Sequence, residues 1–261
     1  MFDAILSQFN VLLRQSHMQQ KNLRPGLTIV VPVYNEEESL PRLVSALTSF
    51  SNEATFPCDV LFVNDGSADE SLSLLQDFCA SNDKLRFISF TSNCGLSAAI
   101  KAGFDYSDSE WTGYMDADLQ TTPEDFEKLW AARDEYDLVT GIRAKRDDSF
   151  IKKFSSKFAN SFRRAFTNDG IADTGCPLKI IKTDVAQRIP MFKGLHRFLP
   201  AMVLLQDGKI HQMEVRHFPR EDGQSKFNVA NRFFGPLADC FAYLWMKRKY
   251  INYEVDNRYD S

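Results

Sequence analysis

The chain has 261 residues, of which 44% are hydrophobic, and its formal net charge at pH 7 is −4. This length allows one large α/β domain or two small ones, and the composition provides for a buried core and excludes an intrinsically disordered chain. The negative net charge argues against bulk binding of nucleic acid, so we expect no nucleic-acid partner.

Cysteine usage and hydropathy limit the surroundings in which the protein works. The five cysteines include no CxxC pair and no signal peptide is recognised, which argues against a disulfide framework or a zinc site and predicts a reducing, cytoplasmic compartment. No run approaches the roughly 18 to 20 apolar residues that cross a bilayer. We therefore expect no membrane-spanning helix.

Residues 1–25 are predicted to form an amphipathic helix followed by a linker. Apolar residues recur at helical spacing between residues 2 and 13, and a polar stretch follows from residue 15. The apolar stripe would pack on the same domain, on a second copy of the chain, or on a membrane surface. The main domain is expected to begin at residue 26.

Units of strand, polar loop and helix then recur about every thirty residues, the length of a βαβ repeat. Apolar, mostly β-branched runs predict the strands, and helical spacing follows each loop. Such repeats indicate a mainly parallel sheet with right-handed crossovers, flanked by helices. The predicted strands are residues 27–33, 59–63, 85–90, 111–115, 138–141 and 209–215, and a helix is predicted at 196–205.

Polar loops follow the first four strands of this sheet. In sheets of this kind ligands bind outside the carboxyl ends of the strands, so these loops should line one crevice. Isolated turns would not explain acidic residues at several successive strand ends, so this pattern favours a shared binding site. The side chains expected to share the crevice are Pro32, Tyr34, Glu36, Asp65, Ser67 and Asp116.

The fourth loop indicates a metal site. Asp116, Asp118 and Gln120 follow a strand at spacing i, i+2, and alternate residues of an extended chain project on one side. Three oxygen donors that converge there suit a hard divalent cation, Mg²⁺ or Mn²⁺, with positions left open for phosphate oxygens. The alternative is structural: Asp118 caps the following helix and Asp116 lies in a surface turn.

Four motifs in this order resemble the signature of family 2 glycosyltransferases. The Asp-Ala-Asp-Leu-Gln form, followed by Pro-Glu, is most similar to the polyprenyl- and dolichyl-phosphate sugar transferases, the group of dolichyl-phosphate mannose synthase. The resemblance runs from about residue 27 to 228. The motifs are Val31-Pro32-Val33-Tyr34-Asn35-Glu36, Val63-Asn64-Asp65-Gly66-Ser67-Ala68-Asp69, Asn93-Cys94-Gly95 and Asp116-Ala117-Asp118-Leu119-Gln120.

The resemblance implies a GT-A nucleotide-sugar-binding fold over residues 26–228, a Rossmann-like sheet with amphipathic interface helices. It implies that Asp65 contacts the base or ribose of a sugar donor. Asp118 would act in catalysis as a ligand of the metal on the diphosphate, because a departing nucleoside diphosphate develops negative charge. The other implied residues are Pro32, Tyr34 and Glu36 beside the nucleoside, and Asp116 and Gln120 on the metal.

Residues 143–164 are the most basic part of the chain. Phenylalanines step by four from Phe150 to Phe166, between lysines and arginines, so a single helix would carry an aromatic ridge beside cations. This is typical of a helix that lies in a membrane interface with its cations toward lipid phosphates. The alternative is a helix packed on the core with a solvated basic face.

Several residues are expected at the acceptor. By resemblance, arginines in residues 141–147 face phosphates, residues 171–179 form the acceptor-side loop, and residues 220–226 match an Arg-x-x-Gly-x-Ser-Lys segment. A lipid monophosphate is already an anion, so it needs cations rather than a base to bring it beside a diphosphate. The expected phosphate contacts are Arg143, Arg146, Lys153, Arg220, Ser225 and Lys226, with Arg143 also catalytic.

Residues 229–261 are predicted to form an aromatic and basic helix with a polar tail. The helix is too short and too polar to span a bilayer. It would lie on a membrane, with Tyr243 and Trp245 at the level of the headgroups, or dock on a membrane-anchored partner.

Together these features predict an inverting, metal-dependent glycosyltransferase that is peripheral on the cytoplasmic face of a membrane. It would move a sugar from a GDP- or UDP-sugar to undecaprenyl or dolichyl phosphate. One alternative is an enzyme of the same fold that acts on a glycan hydroxyl, with Asp173 as the catalytic base. Another is a non-catalytic subunit that binds a nucleotide sugar and recruits partners.

Overall fold

A computed structural model describes residues 23–143, 170–218 and 234–252 of the chain, with side chains of the last segment from residue 238. Within these ranges seven strands form one sheet. The strands are β1 (Arg24–Val33), β2 (Cys58–Asn64), β3 (Leu85–Ser89), β4 (Ser109–Tyr114), β5 (Leu138–Arg143), β6 (Lys179–Lys182) and β7 (Ile210–Val215).

Helices connect most of these strands. A 3₁₀ helix at Leu195–Phe198 lies between β6 and β7 in the chain. The described α-helices are α1 (Leu40–Glu53), α2 (Ser71–Ser81), α3 (Leu96–Tyr106), α4 (Asp125–Ala131), α5 (Thr183–Gln187), α6 (Leu199–Leu204) and α7 (Phe234–Lys249). None of them is both long enough and apolar enough to cross a bilayer.

The strand order is β3-β2-β1-β4-β6-β5-β7, and the expected mainly parallel α/β sheet is confirmed. β1 pairs in parallel with β2 and β4, β2 with β3, and β5 with β7. β6 runs antiparallel to both of its neighbours and was not predicted. Its first residue, Lys179, pairs with Tyr114, the last residue of β4. Lys179 therefore lies at the edge where the parallel strands end.

Apolar side chains cover both faces of the central strand β1. Ile29 and Val31 pack with α1 and with Phe126 of α4 on one face. Val30 packs on the other face with α3, where a Cβ added at Gly103 would lie 2.1 Å from a Val30 methyl carbon. Burial on both faces explains why the strand has a nearly continuous apolar sequence rather than an alternating one.

The helix predicted at residues 196–205 is divided in the structure. A 3₁₀ helix ends at Phe198, and α6 begins at Leu199 with Pro200 in its first turn. Proline lacks an N–H and has a fixed φ, so it is accommodated where a helix begins rather than inside one. The segment is packed into the core, because Phe198 and Leu199 are each 1% exposed.

The inner side of α7 belongs to the core. Tyr243 is 1% exposed, and its ring stacks on Phe198 with centroids 5.3 Å apart. The placement of Tyr243 at lipid headgroups was therefore wrong, because the helix turns this ring inward, whereas Trp245 is 68% exposed. At the preceding turn, Arg197 donates to Asp239 of α7 at 3.2 Å.

A buried carboxylate joins α4 to the end of β7. Asp125 Oδ2 accepts the backbone N–H of Arg216 at 2.6 Å, and Oδ1 accepts the Arg216 Nε–H at 3.0 Å. Lys128 lies 2.9 Å from the same carboxylate. Burial disfavours the charged form of Asp125, but these donors outweigh it and lower the pKa of the carboxyl below its ordinary value.

The predicted helices at residues 2–13 and 150–166 lie outside the described residues, as does the boundary between residues 228 and 229. The same holds for several expected acceptor contacts. These are Arg146, Lys153, Arg220, Ser225 and Lys226.

Replacement of Tyr243 by Ala should destabilise the fold by about 3 to 5 kcal/mol, because it opens a cavity against Phe198. Trp245→Ala on the same helix should change the free energy of unfolding by less than about 0.5 kcal/mol, because that ring faces solvent. Urea denaturation followed by circular dichroism measures both. Equal losses in the two variants would contradict the packing of α7 described above.

Asp125→Asn should cost about 2 to 3 kcal/mol at neutral pH, since it removes hydrogen bonds to a charged acceptor. The folded-state pKa of this carboxyl is lowered, so its contribution is complete above about pH 5 and is lost as pH falls through the folded-state value. Urea unfolding between pH 3 and 8 should show the variant and wild type converging at acidic pH. Asp184→Asn, an exposed carboxylate paired with Arg188 at 3.0 Å, is the control and should have little effect.

Candidate functional site

The loops after β1 and β2 are joined by hydrogen bonds at the carboxyl edge of the sheet. Asn35 N–H donates to Ser67 Oγ at 3.0 Å, and Asn35 Oδ1 accepts the Ala68 N–H at 2.8 Å. Glu36 N–H donates to Ser71 Oγ at 2.9 Å. These two loops therefore form one unit, which carries Tyr34, Glu36 and Ser67 of the residues predicted for the nucleotide. Pro32, also predicted, lies near the end of β1 just before it.

Asp65 fixes the loop that leads into α3. Its carboxylate accepts the Cys94 N–H at 2.7 Å, the Gly95 N–H at 2.9 Å and the side-chain amide of Asn93 at 3.0 Å. The residue is 4% exposed. Asp65 is thus the group that holds Asn93 and Gly95, two residues of the third motif, in this loop. Contact of Asp65 with a base or ribose stays a prediction.

The acidic motif after β4 forms a turn rather than a continued strand. β4 ends at Tyr114, and Leu119 has a φ of 53°, which is uncommon for a residue with a side chain of this size. Asp118 Oδ1 accepts the Gln120 N–H at 3.2 Å, and the Gln120 carbonyl accepts the Phe218 N–H at 2.9 Å. The alternation of an extended chain does not apply here, and backbone bonds hold the turn instead.

Asp116 lies close enough to Asp118 for the charge of Asp118 to affect its ionisation. Tyr114 OH donates to Asp116 Oδ1 at 2.6 Å. Burial raises the pKa of Asp116, and the charge of Asp118 raises it further, against the hydrogen bond from Tyr114 and the charges of Lys179 and Arg143. A divalent cation between the two carboxylates would relieve this repulsion.

Arg143 and Asp173 form a bidentate ion pair beside this turn. Arg143 Nε donates to Asp173 Oδ2 at 2.7 Å, and Nη2 donates to Oδ1 at 2.8 Å. Both side chains are nearly buried, with 12% and 11% of their surface exposed. The structure thus brings two of the three predicted catalytic residues, Arg143 and Asp173, together with Asp116, and it pairs them with each other.

Lys179 was not predicted as a site residue. It is 2% exposed, and its Nζ donates to the Cys176 carbonyl at 2.6 Å. Burial lowers the pKa of this ammonium group, and the charges of Asp116 and Asp173 act in the opposite direction. The sequence feature that could have pointed to Lys179 is its position at the start of the apolar run Lys-Ile-Ile. The burial of its side chain, however, follows from the pairing of β6 with β4.

His196 links the 3₁₀ helix to α3. Its Nδ1 lies 2.8 Å from Ser97 Oγ, which also accepts the Gly194 N–H at 2.9 Å. Burial, with smaller contributions from the charges of Arg197 and Lys179, lowers the pKa of His196 to about 3. The imidazole is therefore neutral at physiological pH. The hydrogen bond that the structure gives His196, to Ser97, joins two parts of the fold.

The donor set fits a hard divalent cation that is shared with a ligand. Within the described ranges, no three His, Cys, Asp or Glu side chains converge on one point, so the chain offers the two carboxylates of Asp116 and Asp118. The amide of Gln120 lies in the same turn. A site with so few protein ligands suits Mg²⁺ or Mn²⁺ that completes its shell with phosphate oxygens and water.

Comparison with known proteins identifies the family. Residues 28–189 match the model of glycosyl transferase family 2. The chain is 33% identical over 206 residues to undecaprenyl-phosphate 4-deoxy-4-formamido-L-arabinose transferase of Pectobacterium carotovorum, covering 78% of this chain and 63% of that protein. It is 31% identical over 228 residues to dodecaprenyl-phosphate galacturonate synthase of Rhizobium johnstonii, covering 85% of this chain and 67% of that protein.

Solved structures agree at the level of the fold. A mannosyltransferase from Pyrobaculum calidifontis in complex with GDP-Man and Mn²⁺ has a TM-score of 0.59 at 17% identity, over 93% of this chain and 72% of that one. Glucosyl-3-phosphoglycerate synthase from Mycobacterium tuberculosis in complex with UDP has a TM-score of 0.65 at 12% identity, over 87% and 82%. The sheet and its flanking helices match the expected GT-A fold, and with its four motifs at one edge of that sheet the chain belongs to glycosyl transferase family 2.

Proposed function

We propose that the protein is an inverting, metal-dependent glycosyltransferase that moves a sugar from a GDP- or UDP-sugar to a polyprenyl phosphate at the cytoplasmic face of a membrane. The two curated relatives named above are polyprenyl-phosphate sugar transferases. Two solved structures of the same fold hold GDP-Man with Mn²⁺ and UDP. These similarities support the donor class and the acceptor class.

The charges of the site support a metal-bound diphosphate. Among the described residues, Arg143 and Lys179 provide two cations whose charges act on Asp116 and Asp173, and Asp118 acts on Asp116. These five groups carry one formal negative charge in excess, so by themselves they would repel a diphosphate. A single divalent ion on Asp116 and Asp118 reverses the sign, and the site then attracts the polyanion.

Different residues of the chain would then have separate roles in the reaction. Asp116 and Asp118, with Gln120, would hold the ion, which neutralises the charge that develops on the leaving diphosphate. The joined loops of Tyr34 and Ser67 border the nucleoside and fix its orientation. Attack on the face of the sugar opposite the departing diphosphate inverts the anomeric centre.

The observation that carries the acceptor class is the ion pair of Asp173 with Arg143. Both carboxylate oxygens of Asp173 accept hydrogen bonds from the guanidinium, and a carboxylate held in this way is a poor proton acceptor. A hydroxyl acceptor needs a free base, whereas a lipid phosphate is already ionised. The pairing therefore favours the phosphate acceptor over the glycan hydroxyl.

Cations near the crevice would bring the acceptor phosphate beside the donor. Arg143 lies beside the turn that carries Asp116 and Asp118. Arg216 and Phe218 follow the end of β7 at the same edge of the sheet. The chain beyond Phe218 carries Arg220, Ser225 and Lys226, which remain proposed phosphate contacts, as do Arg146 and Lys153. A guanidinium fork, a hydroxyl and an ammonium group suit the oxygens of a monophosphate.

The outer side of α7 would hold the protein on an anionic bilayer surface. Trp245 is 68% exposed and Ile251 is 80% exposed. Three consecutive cations, Lys247, Arg248 and Lys249, lie in the last turn of the helix. Exposed aromatic and aliphatic side chains beside cations suit the headgroup region of an anionic membrane. This is the location of a polyprenyl phosphate.

The proposed reaction is tested by transfer of radiolabel from a panel of GDP- and UDP-sugars, with Mg²⁺ or Mn²⁺, to added undecaprenyl or dolichyl phosphate. We expect label in the organic-extractable product with one donor, and none when EDTA removes the metal. Asp118→Ala should abolish transfer while the protein stays folded, and Asp184→Ala, an exposed carboxylate on α5, should retain it. Label in water-phase product alone would contradict the phosphate acceptor and favour a glycan hydroxyl.

Membrane docking is tested by sedimentation with phosphatidylglycerol vesicles. Changing Lys247, Arg248 and Lys249 together to Gln should weaken binding on the order of 100-fold, since each cation near an anionic surface contributes about 1 kcal/mol. Trp245→Ala should weaken binding to the same vesicles. Tyr106→Ala, an aromatic side chain on α3 that is 61% exposed, should bind as wild type. Unchanged binding in the triple variant would rule out docking through α7.

A further inference from the structure

Tyr114 forms a hydrogen bond with one carboxylate oxygen of Asp116, the first acidic residue of the motif after β4. It ends β4, is 4% exposed, and donates its hydroxyl hydrogen to Asp116 Oδ1 at 2.6 Å. The other oxygen, Oδ2, is therefore the one left for a cation. The hydrogen bond also limits rotation of the carboxylate, which lies only two residues beyond the tyrosine.

The tyrosine ring is itself held by a buried charge. Antiparallel pairing of β4 with β6 places Lys179 directly opposite Tyr114, and Lys179 Nζ lies 5.4 Å from the centroid of the Tyr114 ring. The Cys176 carbonyl accepts a hydrogen bond from the same ammonium group at 2.6 Å. Attraction between the ammonium and the ring face orients the ring, and the carbonyl keeps the ammonium in place.

These contacts form one continuous series, from the Cys176 carbonyl through Lys179 and the Tyr114 ring to the Asp116 carboxylate. We propose that Tyr114 is a positioning residue for Asp116, and that its hydroxyl holds the carboxylate so that Oδ2 faces the divalent cation. This inference rests on the proposed function, which supplies the cation. It goes beyond the proposed function because it names the group that orients Asp116, the metal ligand. Hydrogen bonds to metal ligands from outside the coordination shell tune metal sites in this way.

A purely structural role of Tyr114 makes a different prediction. If the hydroxyl only satisfies its own hydrogen bond inside the core, its removal changes stability and leaves metal affinity as it was. If the hydroxyl positions Asp116, its removal weakens metal binding in a protein that is still folded. Tyr114→Phe separates the two because it keeps the ring and its contact with Lys179.

The test is titration of metal-free Tyr114→Phe protein with Mn²⁺ alone, with free Mn²⁺ measured by electron paramagnetic resonance. We expect a Kd about tenfold weaker than that of wild type, which is the usual cost of losing an outer hydrogen bond at a metal site. Tyr136→Phe is the matched control. Tyr136 stacks on His211 at 4.9 Å next to the start of β5, at the opposite edge of the sheet, and its variant should bind as wild type.

Wild-type Mn²⁺ affinity in folded Tyr114→Phe would overturn the positioning role. If that variant does not fold, 4-fluorophenylalanine at position 114 takes its place, because it keeps the ring and its contact with Lys179 but cannot donate a hydrogen bond. The same loss of about tenfold is expected, and wild-type affinity would again overturn the positioning role. A second readout is the Mn²⁺ dependence of transfer, in which half-saturation should rise about tenfold while the rate at saturating Mn²⁺ stays near wild type.

The binding assay contains neither donor nor acceptor, so it is independent of the proposed reaction. Weaker Mn²⁺ binding in Tyr114→Phe supports the positioning role even if no lipid-phase product forms. Lipid-phase transfer together with unchanged Mn²⁺ affinity in the variant would overturn the positioning role alone. Absence of Mn²⁺ binding to wild type would overturn both the metal assignment and this inference.

Discussion

The main physical constraint on this structure is that carboxylates must be kept together at the edge of a sheet, partly out of water. Asp116 and Asp118 follow one strand, and Asp173 approaches from a later part of the chain. Buried carboxylates repel one another and are costly to desolvate unless cations accompany them. Arg143 and Lys179 are those cations, and both are nearly buried themselves. The site is thus a cluster in which two cations offset most of the charge of three carboxylates.

The topology of the sheet provides this balance. Parallel strands bring their carboxyl ends, and the acidic loops that follow them, to one edge. An antiparallel strand at that position brings its first residue to the edge instead. β6 is inserted antiparallel between β4 and β5, so it places Lys179 between the ends of the strands that deliver Tyr114 and Arg143. Reversal of one short strand puts a cation among the carboxylates.

Much of this arrangement is local in the sequence and could be predicted. The strands β1 to β5 are largely apolar segments followed by turn residues, so periodicity and motifs locate both the sheet and the loops at its edge. β7 was also predicted as a strand, although half of its residues are polar. β6 could not be predicted in this way, because it has four residues and begins with a lysine. Its pairing with Tyr114 joins segments far apart in the chain. The Arg143–Asp173 and Ser97–His196 contacts likewise join segments that are far apart in the chain. Tyr243 was placed wrongly for another reason: aromatic composition does not show which side of a helix faces inward.

The packing of α7 restricts how the catalytic edge can be presented to its surroundings. Cys240 and Tyr243 fill the core on the face covered by α3 and α6, and Gly194 lies so close that a Cβ there would be 2.2 Å from Asp239 Oδ2. The helix therefore cannot rotate about its axis or swing away without opening that core. Whatever its outer side contacts, the packing of Cys240 and Tyr243 in the core helps to set the angle between that surface and the crevice.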